Sequence, residues 1–429
     1  MMLEARHGVA IEAADEAAIS DLRRLGFADP MDASDRRLLA LLSAFGLRLQ
    51  FGRSPDGSAW IAATVWEPAD GTDGDVFSGA GFQPADAIRS CLGEFAEFQS
   101  GLFRPGDAAL HGATAARIID PWSVLGFSDR QRAEPGAAAA YDDIPSGETF
   151  AGEIDWSEAV CLNDGLPAWA PSQLCFGRYS QRAPGAPSDW RNDSNGCAAG
   201  ETAEAAKLAA LLELIERDAT GIWWYGRCRR PGLDPARLRR PVLQAAIEAR
   251  MQSGQTVHLL DLTHDLRVPV VGAILFQGGQ LLGLGFGCKL SIGTAAVSAY
   301  LELCQMELSI ALAKQRASME DDQLLRWMKE IAPSSHPYLT PGGGSEAATP
   351  PDLTLEAVVE LLLSMELRTY AVDLQRAEID IPAARLFVPG LCHYKPRLGH
   401  RRLVEVPKKL GWKPEGFGAS DLNSMPLLI

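Results

Sequence analysis

Apolar residues recur along the chain with two different periods, which predict helices and strands in alternation. Spacings of three and four residues place apolar side chains on one face of a helix, and they predict helices over Asp15–Leu25, Ala33–Phe45, Pro84–Gln99, Glu204–Trp224, Pro235–Gln252, Ala295–Ala313 and Leu355–Met365. Short runs rich in Val, Ile, Leu and Phe predict strands over Trp60–Trp66, Thr256–Leu262, Val268–Phe276, Gln280–Gly287, Thr369–Leu374 and Ala384–Val388. Since both kinds of element occur along the whole length, the pattern predicts an α/β or α+β fold.

Length and loop composition favour one compound domain or two intimately packed halves. The 429 residues, 47% of them hydrophobic, can bury a large core and lie near the upper limit for one domain. Stretches rich in Pro, Gly, Ala, Ser and Asp predict loops at 133–149, 181–195 and 334–352. None of these loops has to be a domain boundary.

Charge and cysteine usage exclude several classes of protein. The net charge of -15 is unsuited to neutralising nucleic-acid or membrane phosphates, but it suits the binding of a cationic metal. The amino-terminal stretch does not resemble a signal peptide, and apolar runs such as VPVVGAIL are too short to span a bilayer, so we expect a cytoplasmic protein. The eight cysteines form no CxxC pair, which favours reduced core thiols over a zinc site or disulfides.

A similar segment occurs three times, and each copy has a glycine-rich stretch followed by a helix. The copies read SGAGFQPADAIRSCLGEFAEF, SNGCAAGETAEAAKLAALLELIERD and GLGFGCKLSIGTAAVSAYLELCQ. We expect the glycine-rich stretches to be turns that enter the helices. At matching depth each helix carries Glu-x-x-Glu or Glu-x-x-Gln, namely Glu94 and Glu97, Glu213 and Glu216, and Glu302 and Gln305.

These acidic pairs have the properties of ligands for a hard cation. Residues three apart share one helix face, and their Leu, Ile and Phe neighbours predict that the pairs are half-buried. Buried like charges are unfavourable unless a cation compensates them, and Mg²⁺ prefers oxygen ligands and usually accompanies nucleotide phosphates. Helix N-termini and glycine N–H groups suit those phosphates. One pair alone would be a solvated helix face, but three copies favour a shared metal–nucleotide site.

Two further charged residues follow the second pair directly. Arg217 presents rigid donors that suit phosphate oxygens, and Asp218 stands next to it. The pair is therefore a candidate phosphate fork. The alternative is that Arg217 forms a salt bridge within its own helix.

The second copy resembles the signature segment of the YcaO family. In the same order, HLLDLTHDLRVPVVGAIL resembles the strand–turn–strand that follows in that family, the third copy its third nucleotide-binding segment, and VPGLCHYKPRLGHRRLVEVPKKLGW its C-terminal section. The resemblance covers the chain from Ser78 to the end. It implies residues 1–77 as the N-terminal α/β part of the first unit and residues 78–429 as the catalytic domain, together one compound domain.

The resemblance implies an ATP site in which carboxylates of three helices hold magnesium around the triphosphate. On that pattern the metal ligands are Glu94, Glu97, Glu213, Glu216 and Glu302. Arg217 and Gln305 match polar residues that face the nucleotide, and Ser194 and Asn195 match the start of the signature turn. All of these residues are therefore expected around ATP and Mg²⁺.

The chain departs from the family pattern in its first segment and in its tail. Ala80 and Phe98 stand where the family often has Lys and Arg, so we expect one or two phosphate contacts either to be missing or to be supplied by Lys289 or Arg89. The azoline-forming branch commonly ends in a Pro-rich tail that reaches the active site, whereas this sequence ends LNSMPLLI. Pro426 and Ile429 are therefore candidates for a catalytic tail, and an ordinary docked terminus is the alternative.

The activity implied is ATP-dependent phosphorylation of backbone amides in a ribosomally synthesised precursor peptide. A cyclodehydratase would convert Cys, Ser or Thr into thiazoline or oxazoline rings, as in bacteriocin-type natural products, and release ADP and phosphate. Two alternatives stay open: a thioamide synthetase with a TfuA-like partner, and a catalytically silent scaffold subunit.

The resemblance also implies partners. Since the region before Ser78 is short, we expect a separate subunit, ubiquitin-activating-like or TfuA-like, to bind the leader peptide and present the substrate. A flavin dehydrogenase and a homodimer are further candidates. Nucleic acid and membrane are not expected as partners.

Overall fold

The elements follow in chain order in a computed structural model that describes residues 24–28, 31–68, 74–112, 117–134, 142–183, 190, 192–316, 323–343 and 353–429. The helices are α1 (Ala33–Phe45), α2 (Pro84–Gly101), α3 (Pro121–Leu125), α4 (Asp129–Ala133), α5 (Ser172–Cys175), α6 (Tyr179–Arg182), α7 (Ala203–Gly226), α8 (Pro241–Gln252), α9 (Ile292–Arg316), α10 (Gln323–Glu330), α11 (Leu355–Ser364) and α12 (Arg402–Lys409). The strands are β1 (Gln50–Arg53), β2 (Trp60–Trp66), β3 (Asp75–Gly81), β4 (Leu110–Gly112), β5 (Ile154–Cys161), β6 (Pro167–Pro171), β7 (Cys197–Ala199), β8 (Gln255–Asp261), β9 (Val270–Gln277), β10 (Gln280–Cys288), β11 (Tyr370–Asp373) and β12 (Ala383–Phe387). Single 3-10 turns lie at Pro105–Asp107, Pro235–Arg237, Pro337–Leu339 and Ala419–Asp421.

Three antiparallel sheets organise the described part of the chain. Two are three-stranded, with orders β1-β2-β3 and β10-β9-β8, and the third runs β4-β5-β11-β12-β7 with β6 paired to β5. Each sheet carries one long helix: α2 packs on β3 and β2, α9 on β10 and β9, and α7 on β12 and β7. The mixed α+β fold predicted from the sequence is confirmed, and the threefold repeat is a repeat of sheet plus helix.

The glycine-rich stretches of the first and third copies are strand segments, so the prediction that they are turns was wrong. Residues 78–81 end β3 and residues 283–288 end β10. A Cβ added at Gly79 would lie 2.2 Å from the Cys91 backbone nitrogen, and one at Gly285 would lie 2.3 Å from that of Leu303. These glycines therefore let a helix lie directly on a strand. In the second copy the turn is real, and β7 follows it at Cys197.

Most predicted elements are present with ends displaced by a few residues. The helix predicted over 235–252 is divided, because Arg239 has a positive φ of 55° and Pro241 begins a new helix. The helix predicted over 15–25 lies outside the described residues except for its last two positions. Strands β1, β3, β4, β5, β6 and β7 were not predicted, because polar residues, glycines or short length hide their pattern.

The largest core lies where α7 meets the carboxyl-terminal segment. Trp223 and Trp224 are both completely buried, and Trp224 Nε1 donates to the Met425 carbonyl at 2.7 Å. Trp327 Nε1 donates to the Pro426 carbonyl at 2.7 Å. The segment around Met425 and Pro426 is thus part of the core.

Helix α9 is long and apolar enough, over Ile292–Lys314, to cross a bilayer by length and composition alone. Half of that stretch is buried inside the protein, where α9 packs on β10 and β9. A core helix with this packing passes the same test as a membrane span.

The contact between α2 and β3 can be tested by a pair of substitutions. Gly79→Ala places a methyl group against the helix backbone and should lower the free energy of unfolding by about 2 kcal/mol. Gly93 lies in α2, where an added Cβ meets no atom within 4 Å. Gly93→Ala should therefore raise the free energy of unfolding by about 0.5–1 kcal/mol. Urea unfolding of both variants measures the difference. Equal stabilities would contradict the contact.

Candidate active site

Helices α2, α7 and α9 converge on one cavity of about 870 Å³. This volume lies in the upper part of the range usual for small-molecule sites. Residues from all three predicted pairs line the cavity: Glu94, Glu97, Glu213, Glu216, Glu302 and Gln305. The structure therefore brings the three pairs together.

The first and third units each hold their first acid against their own strand. The Ser78 backbone N–H donates to Glu94 Oε2 at 2.8 Å, and that of Phe286 donates to Glu302 Oε2 at 2.6 Å. In both units the strand residue precedes the acid by 16 positions. Cys197 has the same spacing before Glu213, and all three strand residues line the cavity. The constant spacing was the signal in the sequence that could have identified these strand residues.

A hydrogen bond joins the first and third units across the cavity. Gln305 Nε2 of α9 donates to the Ser78 hydroxyl of β3 at 3.1 Å. Gln305 thus lies between Ser78 and the interior of the cavity, where a polar side chain was expected.

Burial and like charge disfavour ionisation of the carboxyl groups of Glu97, Glu213 and Glu302. Burial, together with the neighbouring Glu216, raises the pKa of Glu213 to about 7, although Arg217 opposes the shift. Burial and Glu216 likewise raise the pKa of Glu302 to about 7. Burial, Glu213 and Glu94 raise the pKa of Glu97 well above its usual value. A cation in the cavity would relieve this repulsion.

Arg217 lies beneath the acids and does not line the main cavity. Its guanidinium is 3.3 Å from Glu216 and 3.7 Å from Glu213 in the same helix, and it stacks 4.9 Å from the Tyr394 ring. Asp218 points elsewhere and accepts from Arg402 at 2.6 Å and from the Cys392 N–H at 2.7 Å. Arg217 thus forms the salt bridge within its own helix that was the alternative to a phosphate fork.

Ser194 and Asn195 lie near the acids but outside the main cavity. Ser194 lines a smaller adjoining cavity together with Glu94 and Glu97. Asn195 is oriented by Asp193, whose carboxylate accepts its backbone N–H at 3.2 Å. The structure thus places Ser194 beside the acids of α2, whereas Asn195 lines a different cavity that none of the predicted glutamates lines.

Lys289 is the only Lys or Arg among the described residues that line the main cavity. It forms no salt bridge with a described residue, and it follows β10 directly. Arg89, the other candidate, is bound to Asp35 at 2.7 Å on the outer side of α2. Ala80 lines the cavity, whereas Phe98 packs on Phe77 with ring centroids 5.0 Å apart.

The two tail residues occupy different places. Ile429 lines the main cavity. Pro426 is buried behind it and contributes its carbonyl to Trp327. Deleting the last five residues would therefore leave two buried indole N–H groups without acceptors, so such a deletion tests folding as well as catalysis.

The donor set fits magnesium together with a nucleotide. In the part of the chain that the structure describes, no three His, Cys, Asp or Glu side chains form a ready-made metal cluster. Magnesium usually takes only one or two protein carboxylates and completes its shell with phosphate oxygens and water. Acids from three helices around one open volume provide that arrangement.

Comparison with known proteins agrees with this geometry. A family model described as YcaO cyclodehydratase, ATP- and Mg²⁺-binding, matches residues 78–392. A solved heterocyclase in complex with substrate and cofactor is similar at a TM-score of 0.81 and 25% identity over 92% of this chain, which spans 57% of that chain. YcaO from Methanopyrus kandleri, bound with AMPPCP and Mg²⁺, shares the fold at a TM-score of 0.60 and 20% identity, over 85% of this chain and 92% of that one.

One curated relative is named for its position next to tfuA. An uncharacterised protein in the tfuA 3′ region of Rhizobium leguminosarum bv. trifolii is 24% identical over 342 residues, which are 74% of this chain and 76% of the relative.

The raised pKa values predict a pH dependence of stability in metal-free buffer. Glu213 and Glu302 hold protons up to about pH 7 when folded but ionise near pH 4.3 when unfolded. Their stabilising contribution is complete below the unfolded pKa and is lost as the pH rises through about 7. The free energy of unfolding of the Glu213→Gln/Glu302→Gln double variant should therefore fall less between about pH 5 and pH 8 than that of the wild type.

Urea unfolding in EDTA at the two pH values measures both falls. The matched control is Glu204→Gln, which changes an exposed residue in the first turn of α7 and should behave as the wild type. If the double variant loses as much stability as the wild type, the carboxyl groups are ionised in the folded apoprotein and the electrostatic description is incorrect.

Proposed function

The chain belongs to the YcaO family, whose members are ATP- and Mg²⁺-binding cyclodehydratases, and we propose that it phosphorylates backbone amides of a precursor peptide to form azolines. The single observation that carries the proposal is the convergence of carboxylate pairs from three helices on one nucleotide-sized cavity. The product would be a thiazoline or oxazoline ring made from Cys, Ser or Thr.

ATP supplies the phosphoryl group that turns the amide oxygen into a leaving group. The substrate side chain adds through its sulfur or oxygen to the preceding amide carbon, and the amide oxygen takes the terminal phosphoryl group, which releases ADP. Loss of phosphate and a proton then leaves the C=N bond of the ring. Because an amide oxygen is a poor leaving group until it is phosphorylated, catalysis rests on positioning and charge stabilisation.

The residues of the cavity divide this work. We assign metal binding to Glu94, Glu97, Glu213, Glu216 and Glu302. Magnesium, when bound there, neutralises charge on the phosphates. Lys289 supplies a further positive charge at the cavity. It replaces the lysine that the family often has at the position of Ala80. Arg217 holds Glu213 and Glu216 from below and so orients them.

We propose that the tail acts on the substrate. Ile429 lines the cavity while Pro426 anchors the segment behind it. We therefore assign Ile429 to orienting the amide and Pro426 to holding the tail in position.

One observation favours a second candidate, the thioamide synthetase. The relative from the tfuA 3′ region covers most of this chain, and both reactions begin with the same ATP-dependent activation of an amide. In this version the sulfur of a sulfide donor adds to the carbon of the O-phosphorylated amide, the C–O bond breaks with release of phosphate, and the partner is TfuA-like. A silent scaffold subunit is disfavoured, because acids with raised pKa values are a cost to the fold without a bound cation.

Partners follow from the family. Chains of the E. coli microcin synthetase McbBCD complex share the fold at 12–13% identity, and one of these structures has pro-MccB17 bound. For this chain we propose a leader-binding partner, ubiquitin-activating-like or TfuA-like, in the cytoplasm, with a flavin dehydrogenase and a homodimer as further possibilities.

The proposed function is tested by intact mass of precursor peptides encoded near the gene, after reaction with ATP, Mg²⁺ and the neighbouring partner proteins. Loss of one water per modified residue supports azoline formation, whereas exchange of oxygen for sulfur supports the thioamide. Glu216→Gln should reduce turnover by about 100-fold or more, while the exposed Glu204→Gln should not. Full ATP hydrolysis by Glu216→Gln, with peptide and partner present, would refute the metal assignment.

A further inference from the structure

A side chamber of about 160 Å³ adjoins the main cavity. Glu94, Glu97 and Cys197 line both volumes, so the two acids of α2 lie at their junction. Its volume is close to that of an engineered cavity, about 150 Å³, that holds benzene. The chamber is therefore too small for a nucleotide and large enough for one small side chain with its amide.

The chamber has an apolar wall and a polar wall. Phe77, Phe98 and Leu102 form the apolar wall. Ser194 lies on the polar wall, is exposed, and its hydroxyl makes no hydrogen bond to a described residue. That hydroxyl is free to donate to, or accept from, a peptide group.

Arg385 fixes the rest of the polar wall. This residue of β12 is only 3% exposed. Its guanidinium donates to the Asp193 carbonyl at 2.8 Å and to Asn192 Oδ1 at 3.3 Å. Since these bonds hold residues 192–194 against β12, the wall is preorganised before any ligand enters.

We propose that this side chamber receives the reacting residue of the peptide substrate, a Cys, Ser or Thr side chain with its preceding amide. The nucleotide takes the larger cavity, so an amide oxygen must reach the phosphoryl group from another direction, and the chamber opens on the same carboxylates. The apolar wall suits the β-carbon, and the free hydroxyl of Ser194 suits the amide. The inference rests on the proposed function, because it takes the substrate to be a peptide.

Gly101 provides a way to fill the chamber without disturbing the fold. It is the last residue of α2 and lines the chamber, and a Cβ added there meets no atom within 4 Å. Gly101→Ala and Gly101→Leu therefore occupy the volume in two steps. Gly93→Leu is the matched control, because Gly93 lies on the same helix, has equal space for a Cβ and lines neither cavity.

The probe is the blocked dipeptide N-acetyl-alanyl-cysteine methylamide, observed by saturation-transfer NMR with AMPPCP and Mg²⁺ present. We expect wild type and Gly93→Leu to bind it, Gly101→Ala to bind it more weakly, and Gly101→Leu to bind it at least about tenfold more weakly. Calorimetry should show AMPPCP affinity within about threefold of wild type for every variant.

Three results would overturn the inference. They are equal dipeptide binding by Gly101→Leu, absence of dipeptide binding by the wild type when AMPPCP binds normally, and a parallel loss of AMPPCP affinity in Gly101→Leu, which would make the chamber part of the nucleotide site. Failure of AMPPCP and Mg²⁺ to bind the wild type would be distinguishable from all three, because it refutes the proposed function itself.

Discussion

Repulsion among carboxylates in one cavity is the constraint on which the rest of the structure depends. Five glutamates line a volume to which the described residues contribute a single lysine, and burial raises the pKa of Glu213 and that of Glu302 to about 7. A protein retains such an arrangement at a cost to folding, and a bound cation removes that cost. The cavity therefore needs bound metal and phosphate to compensate its charge.

The positions of the acids are set by contacts between helix and strand. Each long helix lies on its sheet, and in the first and third units glycines remove the side chains that would hold the two apart. This close packing brings the Ser78 and Phe286 N–H groups to the first acid of their own units. A small shift of the helix away from its strand would break these hydrogen bonds. The glycines therefore support catalysis by positioning the acids, without contacting the substrate.

The sequence predicted the chemistry of the site better than its surroundings, and the reasons are physical. Residues three apart share a helix face, so Glu213 and Glu216 could be placed together from spacing alone. Arg217 and Asp218 turn to different partners, because Arg217 faces Glu213 one turn earlier in its helix, whereas Asp218 faces Arg402. Glycine favours turns locally, and this predicts turns at residues 78–81 and 283–288, where the packing of a helix on the chain makes them strand ends instead. The sequence alone did not show which of Arg89 and Lys289 is available to phosphate, because Asp35, the partner of Arg89, is distant in sequence.

The central claim is that the three helices share a metal–nucleotide site, and anomalous diffraction from crystals grown with AMPPCP and Mn²⁺ tests it most directly. Manganese accepts the same oxygen ligands as magnesium and can be located by its anomalous signal. The account predicts manganese peaks within about 2.5 Å of glutamate oxygens from α2, α7 and α9, bridged by phosphate oxygens. Nucleotide bound in the cavity with manganese absent, or manganese held away from these glutamates, would contradict it.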